Sequence, residues 1–405
     1  MSNIFADRPL IDTRVSYPPV VLTDEIVNTH THPRDTDEEK DGRAELHIPL
    51  LAEVIDIALC MGNTKPPLTD RHLAFDKGRQ WRKLVPQGSR LELRVGGLIT
   101  EKTHPNDVVR GYDMPEGKAC WDYMKMFIRA ASNAHGADVD DVSKIIPVIK
   151  AMTYTKFKHR KHPMTTAIHM ERKFDVFGRR ILFLQREPTS VERDLSHILR
   201  EVPDAKLVVC HVTCAYTIEV IRYLRSKGFN VWGEIAPHYD VFNCDDLFEA
   251  PDGGTMMNCN IFCIPIFKTE ADRQAIHQAM LSGEDCWIFG CDEACWPDDP
   301  TKPIGVKIND RGYVIGGQTQ IPKANVSYVI EKFVEAGKNG CISKFLSRNA
   351  REAYGLPSSQ SMRKFNRRDW SVRETLERQA PHGLIRARVA LGGTDRKYVP
   401  EEHAA

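Results

Sequence analysis

Eight short apolar runs alternating with helix-compatible stretches predict a parallel (β/α)8 barrel of the TIM type. Two further observations support that class. An open doubly wound sheet would favour a glycine-rich phosphate loop after an early strand, and neither G-x-G-x-x-G nor G-x-x-x-x-G-K occurs. The side chains best suited to binding a metal also fall at the ends of the predicted strands, where barrel enzymes keep their active sites.

Taken in order, residues 1–23 carry Pro9, Pro18 and Pro19 and read as an irregular arm. Ile26-Val27 begins the first strand. Val54 to Met61 is the second, and Thr69-Asp70 then caps a helix bearing Leu73, Phe75 and Trp81. Val95 to Ile99 is a third strand, followed by a helix over 106–118 that Gly111 and Pro115 weaken. Tyr123 to Ile128 is the fourth, with a helix over 140–152 interrupted by Pro147. Thr165 to His169 is the fifth, followed by a basic loop and a helix over 189–201. Lys206 to His211 is the sixth, with a helix from Ala215 to Ser226. Asn230 to Ala236 is the seventh, and Thr269 to Leu281 is an amphipathic helix. Cys286 to Asp292 is the eighth, with helices near 323–336 and 341–348. The expected organisation is an arm over 1–23, a catalytic barrel over 24–357 and a C-terminal extension over 358–405.

Charge and composition exclude several classes. The 405 residues hold 56 basic and 55 acidic side chains, a formal charge of +1, which offers no electrostatic case for nucleic acid or an anionic membrane. The basic stretches Lys156–Lys161 and Arg363–Arg368 therefore read as solvated faces. No apolar run approaches the ~18 residues of a membrane helix, and the N-terminus lacks a basic segment followed by an apolar core. The eleven cysteines include no Cys-x-x-Cys pair and sit mostly in apolar runs such as those around Cys60, Cys210, Cys263, Cys286 and Cys291. Reduced, buried thiols in a cytoplasmic protein follow.

The chain's organising motif is Asn28-Thr-His30-Thr-His32-Pro-Arg34-Asp35. On a strand, side chains two apart share a face, so His30 and His32 project together with Arg34 next in the row. Two imidazoles from one rigid strand end suit zinc, although two ordinary histidines near a turn would look the same. The rest of the chain decides. His169 ends strand five, His211 ends strand six and Asp292 ends strand eight, and five such side chains on one rim are hard to dismiss as coincidence.

This order resembles that of the metal-dependent amidohydrolase superfamily and, more narrowly, the shorter single-barrel class of dihydroorotases. The resemblance runs from about residue 24 to Pro357. It is carried by His30-Thr-His32-Pro-Arg34-Asp35, Met61-Gly-Asn63 with Pro66-Pro67, Ile168-His169-Met-Glu171 and Val209-Cys-His211-Val-Thr213. It continues through Ile264-Pro-Ile-Phe-Lys268, Phe289-Gly-Cys-Asp292 and Asn349 to Pro357. The resemblance implies two zinc ions held by His30, His32, His169, His211 and Asp292 and bridged by a carboxylated Lys125, a residue that on its own would read as a surface lysine. It implies Asp292 as general base and then acid, and Arg34 and Asn63 as holders of a substrate carboxylate. Arg34 has the bidentate fork for that task, with pairing to Asp35 as the structural alternative. Ile264 in the same register joins the substrate contacts. The implied activity is reversible ring opening of dihydroorotate to N-carbamoyl-aspartate in pyrimidine biosynthesis, by a cytoplasmic homodimer acting on a small cyclic amide.

Two departures bear on substrate choice. A family histidine four residues after the aspartate is here Trp296, and a family pair of threonines in the loop after the lysine strand is here Ser132-Asn133. Losing a charged hydrogen bond weakens recognition by roughly 1.5–3 kcal/mol, so another cyclic amide or imide is the alternative substrate. His238 and Tyr239, after Pro237, lie on the same rim within reach of a substrate. His104, His135, His159 and His162 read as loop residues, and Cys291 as a buried thiol rather than a nucleophile. A catalytically silent scaffold for a carbamoyltransferase would lose metal ligands, whereas this chain retains them all.

Overall fold

The computed structural model describes residues 15–34, 43–115, 118–128, 137–171, 180–248, 261, 263–295, 307–308, 314–315, 319–380, 383–389 and 392–401. In chain order the strands are β1 (Val20–Asp24), β2 (Val27–His32), β3 (Ile57–Cys60), β4 (Glu92–Leu98), β5 (Tyr123–Ile128) and β6 (Asp138–Val139). They continue with β7 (Thr166–His169), β8 (Leu207–Val209), β9 (Val231–Ile235), β10 (Trp287–Phe289) and β11 (Glu293–Ala294). Beyond these lie β12 (Lys307–Ile308), β13 (Val314–Ile315), β14 (Met362–Ser371), β15 (Thr375–Ala380), β16 (Gly383–Arg388) and β17 (Asp395–Pro400).

The main sheet is parallel, in the order β10-β9-β8-β7-β5-β4-β3-β2-β11, with β6 as a short branch off β5. Its two end strands are halves of one stretch. Residues 287–289 pair with β9, and residues 293–294 pair with β2. The eighth strand thus joins both edges of the sheet and closes the curl, giving the (β/α)8 barrel that the eight apolar runs predict. Strands β2, β3, β5, β7, β8, β9 and β10 are buried along their whole length. A parallel sheet walled by side chains inside and helices outside requires this, and it explains why the runs are continuously apolar rather than alternating.

The helices begin where their caps predict. Asp70 accepts from the main-chain N–H groups of His72 and Leu73 at the start of Arg71–Arg82. Thr269 and Asp272 form a reciprocal capping box before Glu270–Leu281. Three helices depart from the expected bounds. The third ends at Tyr112, ahead of Pro115, and Arg180–Glu201 is helical throughout, starting nine residues before 189. Helical residues near 341–348 run on to Tyr354, where Gly355 adopts φ 63° as a left-handed stop.

The arm is not irregular to its end. Val20–Asp24 pairs antiparallel with β14, which pairs in turn with β17. This small sheet joins the chain's two ends against the side of the barrel, and its strand signal was hidden because half of β1 faces solvent, leaving Leu22 56% exposed. Phe365 and Tyr398 are buried beneath it. The Tyr398 hydroxyl donates to Pro18 O at 2.9 Å, and Ser327 Oγ donates to Tyr398 O at 2.7 Å, which ties the extension to the helix Pro322–Glu335.

At the N-terminal face, Arg363 of β14 reaches Asp56, the residue before β3. Arg363 Nε lies 3.0 Å from Asp56 Oδ2, and the same oxygen accepts from the Ile26 N–H at 2.8 Å. Both side chains are buried, and Arg90 stands 3.4 Å from the other carboxylate oxygen. Removing one member of a buried pair strands the other's charge. Arg363→Met is expected to lower the free energy of unfolding by about 3 kcal/mol in denaturant titrations.

Candidate metal centre

His30 and His32 occupy the end of β2, and their period-two spacing turns both rings to the barrel axis while Thr31 between them faces away, its Oγ1 2.7 Å from His47 Nε2. The two Nε2 atoms stand 3.2 Å apart. Asp292 joins them from the eighth strand. Its Oδ1 lies 3.1 Å from His30 Nε2 and 3.0 Å from His32 Nε2. The backbone there is left-handed, with φ 50°.

His169 ends β7 and His211 follows β8. His169 Nδ1 and His211 Nε2 are 3.0 Å apart, and the His211 ring centroid is 5.2 Å from that of His30. Lys125, in the middle of β5, is fully buried with its Nζ 3.4 Å from His30 Nε2 and 5.3 Å from the centre of the Phe127 ring. Four of these six side chains, His30, His32, Asp292 and Lys125, therefore form one chain of contacts. The His169–His211 pair joins it through His30, and one donor atom each from His30, His211 and Asp292 lie within 4.8 Å of one another.

The donor set suits a metal. Burial pushes His32, His169 and His211 well below the ordinary imidazole range, reinforced by Arg34, Lys125 and His169 respectively, so all three rings are neutral with a free lone pair. Burial would raise Asp292, but His30 and the hydrogen bond from His32 outweigh it and hold the group well below its usual range, as a carboxylate. Donors at the roughly 2.0–2.1 Å of a zinc–nitrogen bond stand about 3.3 Å apart at tetrahedral angles, and the spacings of 3.0, 3.1 and 3.2 Å are close to that edge. Two imidazole nitrogens facing each other can share at most one proton. Several aimed at one point make better sense around a cation.

One residue of this centre escaped the sequence. Glu234, on β9, is fully buried and accepts three bonds: from His30 Nδ1 at 2.6 Å, from the His211 N–H at 3.1 Å and from Thr29 Oγ1 at 2.8 Å. Burial would lower His30, but Glu234 outweighs it and raises the ring to about 10, so without a cation both ring nitrogens carry a proton; a metal would displace the one on Nε2 while Glu234 keeps the one on Nδ1. Gly290 makes room for it, since a Cβ there would sit 2.5 Å from Glu234 Cδ. The signal was a lone carboxylate in the apolar run Val231-Trp-Gly-Glu-Ile, because such a residue is almost never buried without a partner. Cys210 stands close by, and His30, Cys210 and Glu234 form a second compact group of donors.

Arg34 and Asn63 meet at the ends of β2 and β3. Arg34 Nη1 donates to Asn63 O at 3.2 Å, the Arg34 carbonyl accepts from Trp81 Nε1 at 3.0 Å, and φ of Arg34 is 65°. Both side chains are buried, and Asn63 Oδ1 has no hydrogen-bond partner among the described residues. Ile264 is half-buried in a segment tied to the rim, where the Tyr239 hydroxyl donates to Pro265 O at 2.7 Å. Lys268 and Glu171, both fully buried, pair at 2.9 Å behind His169. Ser132, Asn133 and Trp296 lie outside the described residues.

Comparison with known proteins agrees with the motif resemblance. The chain is 27% identical over 346 residues to a dihydroorotase of Azoarcus sp. (strain BH72), covering 85% of this chain and 91% of that one. It is 25% identical over 320 residues to the mitochondrial dihydroorotase of Oryza sativa subsp. japonica, covering 78% and 71%. No family model matches. Among solved structures, dihydroorotase from Saccharomyces cerevisiae in complex with 5-fluoroorotic acid superposes with a TM-score of 0.78 at 18% identity, covering 95% of this chain and 99% of that one. The L-hydantoinase (dihydropyrimidinase) of Arthrobacter aurescens gives 0.70 at 14% identity, covering 94% and 82%. The fold is the one that dihydroorotases and hydantoinases share.

The role of Glu234 is open to measurement. Glu234→Gln keeps the shape but removes the anion behind His30, and is expected to weaken zinc binding by about 10- to 100-fold in competition with a chromogenic chelator.

Proposed function

We propose that this chain, a relative of the dihydroorotases, is a metal-dependent hydrolase of cyclic amide C–N bonds whose substrate is dihydroorotate. The observation that carries the reading is the convergence of four imidazoles, one carboxylate and one buried lysine from five strands, in a chain similar in sequence to dihydroorotases over most of its length. Residues 24–357 supply the catalytic barrel, with 358–405 as an extension. No helix among the described residues is long and apolar enough to cross a membrane, and we assign the enzyme to the cytoplasm as a homodimer.

In this reading His30, His32, His169, His211 and Asp292 would hold two zinc ions, together with Lys125 carboxylated on Nζ. A carbamate supplies the anion that a buried ammonium cannot, and Lys125 is fully buried with an imidazole nitrogen as its hydrogen-bond partner. Such ions lower the pKa of a nearby water toward about 7 and polarise an amide carbonyl. The protein's own groups do the rest. Asp292, an anion at the centre of the cluster, takes the proton of the attacking water and passes it to the ring nitrogen as the C–N bond breaks. Arg34 fixes the substrate carboxylate with Asn63 beside it. The segment at Ile264 borders the pocket, and the family resemblance assigns Ser132, Asn133 and Trp296 to substrate contact as well. Trp296, standing where a carboxylate-binding histidine is usual, makes a ring without a carboxylate the alternative substrate.

Purified protein assayed against dihydroorotate, hydantoins and cyclic imides is expected to turn over dihydroorotate fastest, to carry about two zincs per chain, and to lose activity with chelator and regain it with zinc. A zinc-replete protein that opens none of these rings overturns the reading. Asp292→Asn is expected to lower kcat by about 10²- to 10⁴-fold. Carbon-labelled bicarbonate is expected to give a carbamate resonance that Lys125→Ala abolishes.

A further inference from the structure

His238 has no place in the chemistry so far described. It follows Pro237 in the short helix Pro237–Val241, at the C-terminal end of β9, on the rim that carries His211 and Asp292. Its ring is 1% exposed and packs 4.2 Å, centroid to centroid, from Tyr239. It lies four residues beyond Glu234, whose carboxylate takes the His30 Nδ1 proton, at the end of the same strand.

Its proton is fixed by a relay. Asn325 Nδ2 donates to Gln320 Oε1 at 2.7 Å, and Gln320 Nε2 lies 3.0 Å from His238 Nδ1. Since the amide nitrogen is the donor, Nδ1 is the acceptor, and the hydrogen of the neutral ring sits on Nε2. Burial, the largest influence, pulls the imidazole down to about 4, so the ring is neutral near pH 7. Thr319, next to Gln320, is bridged to Ala294 of β11 on one side and to Val389 of the C-terminal extension on the other. The relay is therefore anchored to the strand that follows Asp292. What remains is one polar hydrogen, on Nε2, buried and without a partner among the described residues. Native proteins leave few such groups unpaired, and one at the edge of an active site is best explained by a ligand.

We propose that His238 is a specificity-determining residue whose Nε2–H donates to an oxygen of the cyclic amide, with Asn325 and Gln320 as positioning residues that hold the donating tautomer. This rests on the proposed function and deepens it by assigning a substrate contact beyond Arg34 and Asn63.

Three variants test it on zinc-loaded protein with dihydroorotate and hydantoin as probes. His238→Phe keeps an aromatic ring but removes the donor, and is expected to raise KM by about 10- to 100-fold with zinc content and melting temperature little changed. His238→Gln sets an amide N–H near the former Nε2 and is expected to recover most of that loss. Gln320→Glu turns the relay round, so that Nδ1 becomes the donor and Nε2 an acceptor, and is expected to raise KM as His238→Phe does without altering the ring. A loss confined to dihydroorotate assigns the acceptor to its carboxylate, and a loss on both rings assigns it to a ring carbonyl. An active wild type whose His238→Phe variant keeps KM within about twofold, or whose His238→Gln variant fails as badly as His238→Phe, overturns the contact alone. A wild type that opens neither ring overturns the proposed function, and the contact falls with it.

Discussion

Three consecutive main-chain amides close the barrel. The Gly290 N–H donates to Ile235 O of β9 at 3.3 Å, the Cys291 N–H to the Asn28 side chain at 2.9 Å, and the Asp292 N–H to His30 O of β2 at 2.9 Å. Within three residues the chain changes partner from one edge of the sheet to the other. Unpaired edges are costly and prone to misassociation, and closure removes both at once. The same step delivers a carboxylate to two imidazoles. Asp292 reaches His30 and His32 because its own amide is bonded to the His30 carbonyl, so the hydrogen bond that seals the fold also sets the geometry of the centre.

The cost of that geometry falls on buried charge, and Glu234 shows how it is met. Taken alone, a fully buried carboxylate would be protonated or would unfold its surroundings. Here it accepts an imidazole N–H, a main-chain N–H and a hydroxyl hydrogen, and the His30 side of the cluster holds it below its ordinary range in spite of burial. Asn28 works similarly one layer out. Its amide nitrogen donates to Glu293 at 2.6 Å while its oxygen takes the Cys291 N–H. Polar groups in the barrel thus satisfy one another in layers, and each layer orients the next.

Much of this was legible because strand ends and metal-capable residues coincide in the sequence. His30, His32, His169, His211 and Asp292 each close an apolar run, and caps such as Asp70 and Thr269 mark helix starts through local chemistry. Glu234 was not legible as an orienting group, because its meaning lies in a contact with His30 across 204 residues. Lys125 is a similar case. In Tyr-Met-Lys-Met-Phe nothing local separates a buried lysine from an exposed one, and only the register of the family pointed inward. The strand Val20–Asp24 was missed because its partner, β14, lies more than 300 residues away and its pairing leaves one face in water. Long-range pairing of half-exposed strands leaves too weak a local pattern to read.

The same coupling explains where backbone strain sits. Among the described residues, three that are not glycine have positive φ: Arg34 at 65°, His211 at 37° and Asp292 at 50°. Each immediately follows a barrel strand or its loop, and each projects a side chain into the rim. A left-handed residue with a Cβ costs about 1–2 kcal/mol, and glycine would avoid that cost. Glycine would also forfeit the guanidinium, the imidazole or the carboxylate. A strand running on in extended geometry would send alternate side chains to opposite faces, so the chain must break its period just where it needs one more inward group. The fold tolerates the strain because the seam and the layered hydrogen bonds beneath it leave these residues no relaxed alternative.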